Sequence, residues 1–217
     1  MPTIHLTAKH DGGEFHYLDP PDGLTHLIVS GYGKAPLGGL LKGSGGIEGR
    51  QLDDLATRIG TAKNIVYGDL PRVALIETDT NTISTKRIAV TPSGELKYYG
   101  RVANVWYNKN ARCWKDYMYC VTYAAMELLK PRSSSRIGLN HFWGIGSNCV
   151  EPAVDAIMNY AANNSTERLE IVVLYVKQEP SLAHRPPEPH RGFPMRHFTQ
   201  GGLNVIEIDV DSPIRKE

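Results

Sequence analysis

Residues Ser135 to Lys177 constrain the fold most. They read as strand, glycine loop, helix, strand. Arg136 to Trp143 (RIGLNHFW) is short and mostly apolar, Gly144-Ile145-Gly146-Ser147-Asn148 follows, and a helix opens near Cys149-Val150-Glu151-Pro152. Leu169 to Val176 (LEIVVLYV) is a near-continuous apolar run, as expected of a strand buried on both faces. A parallel α/β unit is the simplest structure with this order. Its tight loop leaves backbone N–H groups free to hold a phosphate or another anion.

The rest of the chain extends this frame. Thr3 to Ala8 reads as a first strand. Leu24 to Ser30 (LTHLIVS) reads as a second, running into Gly31-Tyr32-Gly33 and a Gly-rich stretch from Leu37 to Gly49. A helix is expected up to Ile59, since Leu52, Leu55, Ala56 and Ile59 recur at i, i+3, i+4, i+7. Val73 to Glu77 and Ile83 to Val90 read as strands around the Asp79-Thr80-Asn81 turn. Leu96 to Trp106 follows Pro92-Ser93-Gly94. This middle part reads as an antiparallel meander, with residues 61–95 inserted into the α/β frame. Ala111 to Lys130 is the longest helix, with Trp114, Met118, Val121, Ala125 and Leu128 on its buried stripe and Pro131 as its stop. Residues 179–202 carry five prolines with His184, His190 and His197, and read as an irregular loop or lid. Leu203 to Val210 alternates and reads as a last strand, antiparallel at a sheet edge. Without an internal repeat or a linker, residues 1–217 read as one domain.

Composition excludes several function classes. A net charge of +1 gives no global field for nucleic acid or anionic lipid. The apolar runs are strand-sized, so no membrane span is expected. Cys113, Cys120 and Cys149 are odd in number and lack metal-site spacing, so neither a metal nor a cofactor is called. Met1-Pro2-Thr3-Ile4-His5 has no basic region and no long apolar stretch, so a reducing cytoplasm is the expected compartment.

Two glycine segments are the first candidate site. Gly43-Ser44-Gly45-Gly46-Ile47-Glu48-Gly49 precedes a helix, where a backbone without side chains approaches a pyrophosphate closely. It is not a Walker A loop: Lys42 precedes the glycines and no Gly-Lys-Ser/Thr closes the motif. The second is Gly144 to Asn148, also at a strand-to-helix junction. The plain alternatives are a flexible loop and a structural turn. Cys149 beside the second loop lacks the C-x5-R phosphatase pattern, since Asp155 stands where Arg is needed, and reads as a packing residue.

A different chemistry is suggested by two His-x-Thr triplets, His5-Leu6-Thr7 and His197-Phe198-Thr199. A 2H-type phosphoesterase uses two imidazoles facing one phosphodiester, one as base and one as acid. The third alternative is non-catalytic: a protein partner contacted through residues 179–202.

The glycine segments and the order of elements resemble a divergent macrodomain, the ADP-ribose-binding α/β module. Gly45 to Gly49 leading into Leu52 resembles its first glycine loop and helix. Tyr98 to Trp106 resembles the next strand, Ala111 to Lys130 its long helix, and Arg136 to Val176 its closing strand, loop, helix and strand. The sequence departs from the family after the early strand, where Ser30-Gly31-Tyr32-Gly33 stands in place of an Asn-rich stretch. The resemblance implies a single α/β domain, with a mixed sheet, a parallel centre and helices on both faces. It implies a small-molecule nucleotide ligand, ADP-ribose or a related diphosphate, held by Gly45, Gly46, Ile47, Gly144, Ile145, Gly146, Ser147 and Asn148. Hydrolysis of an ADP-ribose derivative is an extension of that reading, with no catalytic residue assigned.

Overall fold

The computed structural model describes residues 3–6, 25–30, 72–77, 87–90, 96–98, 101–106, 114–140, 150–164, 168–174 and 186–210. Their strands are β1 (Thr3–Leu6), β2 (His26–Ser30), β3 (Arg72–Glu77), β4 (Arg87–Val90), β5 (Leu96–Tyr98), β6 (Arg101–Trp106), β7 (Arg136–Asn140), β8 (Glu170–Leu174), β9 (Met195–Gln200) and β10 (Leu203–Ile208). The helices are α1 (Trp114–Leu129) and α2 (Val150–Asn163).

Eight strands form one mixed sheet in the order β1-β8-β7-β2-β6-β3-β10-β9. From β1 to β6 every neighbouring pair is parallel. From β6 to β9 every pair is antiparallel. The sheet is therefore a parallel half joined to an antiparallel half, rather than a parallel centre with strays at its margins. The segment that constrained the fold holds: β7, α2 and β8 are a βαβ unit, with Ile137 opposite Ile171.

Both described helices pack on the same side. The crossovers β6-α1-β7 and β7-α2-β8 step in the same direction along the sheet, and right-handed crossovers then place both helices on one face. They touch along their length. Asn159 Nδ2 donates to the Tyr119 hydroxyl at 3.1 Å, and Asn163 Nδ2 to the Tyr123 hydroxyl at 3.4 Å. Two contacts four residues apart on each helix, in the same order, mean that the helices run side by side in the same direction. The helix expected up to Ile59 lies outside the described residues, and with it the expectation of helices on both faces.

α1 is buried more widely than its stripe. Met118, Val121, Ala125 and Leu128 are buried as expected, and so are Tyr117, Cys120, Ala124, Met126 and Leu129. A helix between a sheet and a second helix needs two apolar faces, which widens the pattern beyond one stripe. Its end is local chemistry. Lys130 takes a left-handed φ of 46° and bonds its N–H to Met126 O at 2.9 Å, and Pro131 cannot continue the helix.

β3, within residues 61–95, lies inside the main sheet between β6 and β10. Val73, Ala74 and Leu75 are all buried, a run that only a strand covered on both faces can hold. The strand after the Asp79-Thr80-Asn81 turn does not return to β3; β4 pairs with β5 in a separate two-stranded sheet. Residues 179–202 are not wholly irregular, since β9 occupies Met195–Gln200 and pairs with all of β10. Gly201 and Gly202 join them with φ of 57° and 74°, the backbone of a two-residue hairpin turn that glycine adopts without strain. β10 consequently is not the edge strand; β9 is, among the described residues. No described helix is long and apolar enough to cross a membrane.

Candidate functional site

The parallel half brings two strand ends together. β2 and β7 are parallel neighbours, with Ile28 opposite Leu139. Ser30 and Asn140 close these strands at the same sheet edge. Thr25 fixes their common start: its N–H donates to Arg136 O at 2.8 Å, and its hydroxyl accepts the Arg136 N–H at 2.9 Å. The chain that follows Ser30 leads toward Gly45, Gly46 and Ile47, and the chain that follows Asn140 is Gly144 to Asn148 and then the start of α2 at Val150. Gly45, Gly46, Ile47, Gly144, Ile145, Gly146, Ser147, Asn148 and Cys149 themselves lie outside the described residues. Ligands of open α/β sheets bind at the carboxyl ends of the strands. That edge is the candidate site, with the α2 N-terminus pointing toward it. Pro152 suits the first helical turn, where no N–H partner is needed.

A strap of chain crosses the helices behind this edge. Residues 186–194 are extended and tied down at several points. His190 Nε2 meets Asp155 Oδ2 at 2.9 Å, and its Nδ1 is 3.9 Å from Asp116 Oδ1. The imidazole also lies against the Tyr119 ring, with centroids 4.9 Å apart. The Arg191 N–H donates to Asp116 at 3.1 Å, Cys120 Sγ donates to Arg191 O at 3.4 Å, and Asn159 Nδ2 donates to Glu188 O at 3.2 Å. Side-chain exposure is 9% for His190 and 1% for Asp155, so the pair is withdrawn from water. A carboxylate that deep in a helix needs a donor, and the strap supplies it. Asp155 lies about 7.5 Å along the helix from Val150, by the rise of about 1.5 Å per residue. The strap thus braces the helix whose N-terminus lies at the edge where β2 and β7 end. It is tied to this chain's own helices.

The two His-x-Thr triplets are not brought together. His5 is on β1 and His197 on β9, the two outer strands of the sheet. Seven strand spacings of about 4.8 Å put them roughly 30 Å apart, far beyond one phosphodiester. His197 is exposed and meets Glu127 Oε2 at 3.5 Å instead. The arrangement a 2H phosphoesterase requires is therefore absent. Cys120 is no nucleophile either: burial first, opposed by a backbone hydrogen bond from the strap and helped by Asp116, pushes its thiol up to about 11.

Sequence reasoning missed the Asp155–His190 pair. Asp155 stands where a phosphatase would need Arg and His190 is one of the histidines of residues 179–202, but their separation of 35 residues carries no local signal. No group of three or more His, Cys, Asp or Glu among the described residues is arranged to hold a metal ion. No family model matches the chain, and no curated protein matches it in sequence.

Proposed function

We propose that the chain binds ADP-ribose or a related nucleoside diphosphate at the edge where β2 and β7 end. One observation carries the reading: these strands are parallel neighbours, and each is followed in sequence by a glycine-rich segment. Two such segments leaving one edge can supply backbone N–H groups to the two phosphates of a diphosphate. Gly45, Gly46 and Ile47 would serve one phosphate, and Gly144, Ile145, Gly146, Ser147 and Asn148 the other. The resemblance to macrodomains supplies the ligand class. The function proposed is binding; hydrolysis has no assigned residue.

Thermal unfolding of the full chain with ADP-ribose tests it. Ligand at 100 times Kd stabilises by about 2.7 kcal/mol, which for a chain of this size raises Tm by about 5–10 °C. Gly146→Val should remove the rise and leave the unliganded Tm within a few degrees. Absence of any shift with ADP-ribose, ADP and NAD refutes the reading.

A further inference from the structure

The helix C-termini converge on a second cavity that the nucleotide reading does not use. α1 and α2 both run against the parallel strands, so their C-termini lie at the edge opposite the one where β2 and β7 end. The turn of the β9–β10 hairpin reaches the same edge. Between them is an open groove of about 1000 Å³. Tyr123, Glu127, Tyr160 and Asn163 line it from the helices, and His197 and Phe198 from β9. This is the upper end of the size range of small-molecule sites.

The helix wall of the groove is negative in sign. The last turns of both helices hold no basic residue, so the negative ends of two helix dipoles lie at the groove, with Lys130, the residue directly after α1, beside them. Glu127 adds a carboxylate. Its Oε2 atom is buried and makes no hydrogen bond among the described residues; the His197 ring lies 3.5 Å from it. Lys130 also lines the groove but is exposed, and its long side chain is free to keep its ammonium in water. Tyr123 and Tyr160 stand edge to face, with centroids 5.7 Å apart at 71°. Burial, followed by Glu127 and then Tyr123, pushes the Tyr160 hydroxyl up, so this ring stays neutral. A carboxylate beside neutral aromatic rings is the usual chemistry for holding an ammonium ion.

We propose that this groove binds an organic ammonium ion carried by a small molecule, with the cation held by Glu127 against the Tyr123 and Tyr160 rings. An anion would meet Glu127 and two helix C-termini. A neutral apolar ligand would leave Glu127 Oε2 with no partner among the described residues beyond the His197 ring at 3.5 Å. A cation satisfies the carboxylate, the dipoles and the rings together. The cavity leaves room for the body that carries it, beside Phe198 and the Asn163 amide.

The test is a titration of the full chain followed by NMR, with choline and its uncharged isostere 3,3-dimethylbutan-1-ol. Choline should shift resonances of Tyr123, Glu127 and His197 saturably at millimolar concentration, and the alcohol should not. Glu127→Gln, whose folding is checked by its unfolding midpoint, should weaken choline by about tenfold. Any of three results overturns the proposal: no choline-induced shifts at these residues, equal binding of the alcohol, or undiminished choline binding by Glu127→Gln. Binding of an oligolysine peptide without choline binding overturns the small-molecule assignment.

Discussion

Replacing His190 with Ala should loosen the strap and cost the fold about 3 kcal/mol. The magnitude follows from what the imidazole touches. It makes a 2.9 Å bond to Asp155, whose side chain is almost wholly buried. Truncating one partner of a buried pair costs about 3–5 kcal/mol when the other charge is left alone. Asp155 has a further interaction besides His190, which lowers the figure. Loss of the contact with Tyr119 adds about 1 kcal/mol. At about 2–4 °C per kcal/mol for a chain of this length, the expected fall in Tm is about 6–12 °C. Urea unfolding of His190→Ala, Asp155→Asn and the double variant gives the coupling energy, expected at about 1–3 kcal/mol. Hydrogen exchange adds a local readout. The Arg191 amide, which donates to Asp116, should lose protection in His190→Ala before the strands of the parallel half do. A His190→Ala variant within 0.5 kcal/mol of the parent, with no coupling to Asp155 and an unchanged Arg191 amide, refutes the view that the pair holds the strap.

Three further outcomes follow from the same packing. Glu207 accepts from Arg72 Nε at 2.6 Å and from Arg196 Nη2 at 2.7 Å, but the Arg72 side chain is 14% exposed and that of Arg196 69%. Glu207→Ala should therefore cost about 2–4 kcal/mol and Arg196→Ala less than about 1 kcal/mol in denaturant unfolding, and equal losses would refute the distinction. Cys120 has its thiol raised by burial from 9.0 to about 11, so its contribution to stability is intact below the unfolded value and is lost as pH rises through the folded one. Alkaline unfolding of Cys120→Ala should thus show a weaker fall in stability between pH 9.0 and about 11 than the parent does, and the Cys120 thiol should resist iodoacetamide until the chain unfolds. Gly202→Ala places a side chain at φ of 74° and should lower stability by about 1 kcal/mol without lost contacts, since nothing lies near the added Cβ; an unchanged midpoint refutes the strain argument.

The parallel half was legible because its signals are local. The apolar run at Leu169 to Val176 contains β8, the periodic Ala111 to Lys130 contains α1, and the short apolar stretch from Arg136 contains β7. The antiparallel half was less legible. β3 has the same local pattern whether it pairs with the next strand or with β6 and β10, and only long-range pairing separates the two. β9 was hidden by the company it keeps. Prolines up to Pro194 give residues 179–202 the composition of a loop, yet Met195–Gln200 holds none, and Gly201-Gly202 between two six-residue runs is a hairpin signal in its own right. The same holds for the sites. The glycine segments stand out in sequence, whereas Asp155–His190 and Glu127–His197 join residues far apart in the chain.

The two halves of the sheet separate the two sites physically. In the parallel half each described helix carries the chain back to the edge where the strands start, so β2 and β7 end, and α2 begins, at the other edge. The positive end of a helix dipole suits a diphosphate there. The same geometry sends both helix C-termini to the opposite edge, where they suit a cation instead. A sheet that ended at β3 would leave that second edge open on the α1 flank. The β10–β9 hairpin walls it, bringing His197 and Phe198 opposite Tyr123 and Glu127. The strap that leads into β9 lies over α1 and α2, where Asp155 and Asp116 hold it. If the strap is released by His190→Ala, the wall made by β9 remains paired to β10 through its ladder, and the groove should keep its choline affinity while the helix pair loosens.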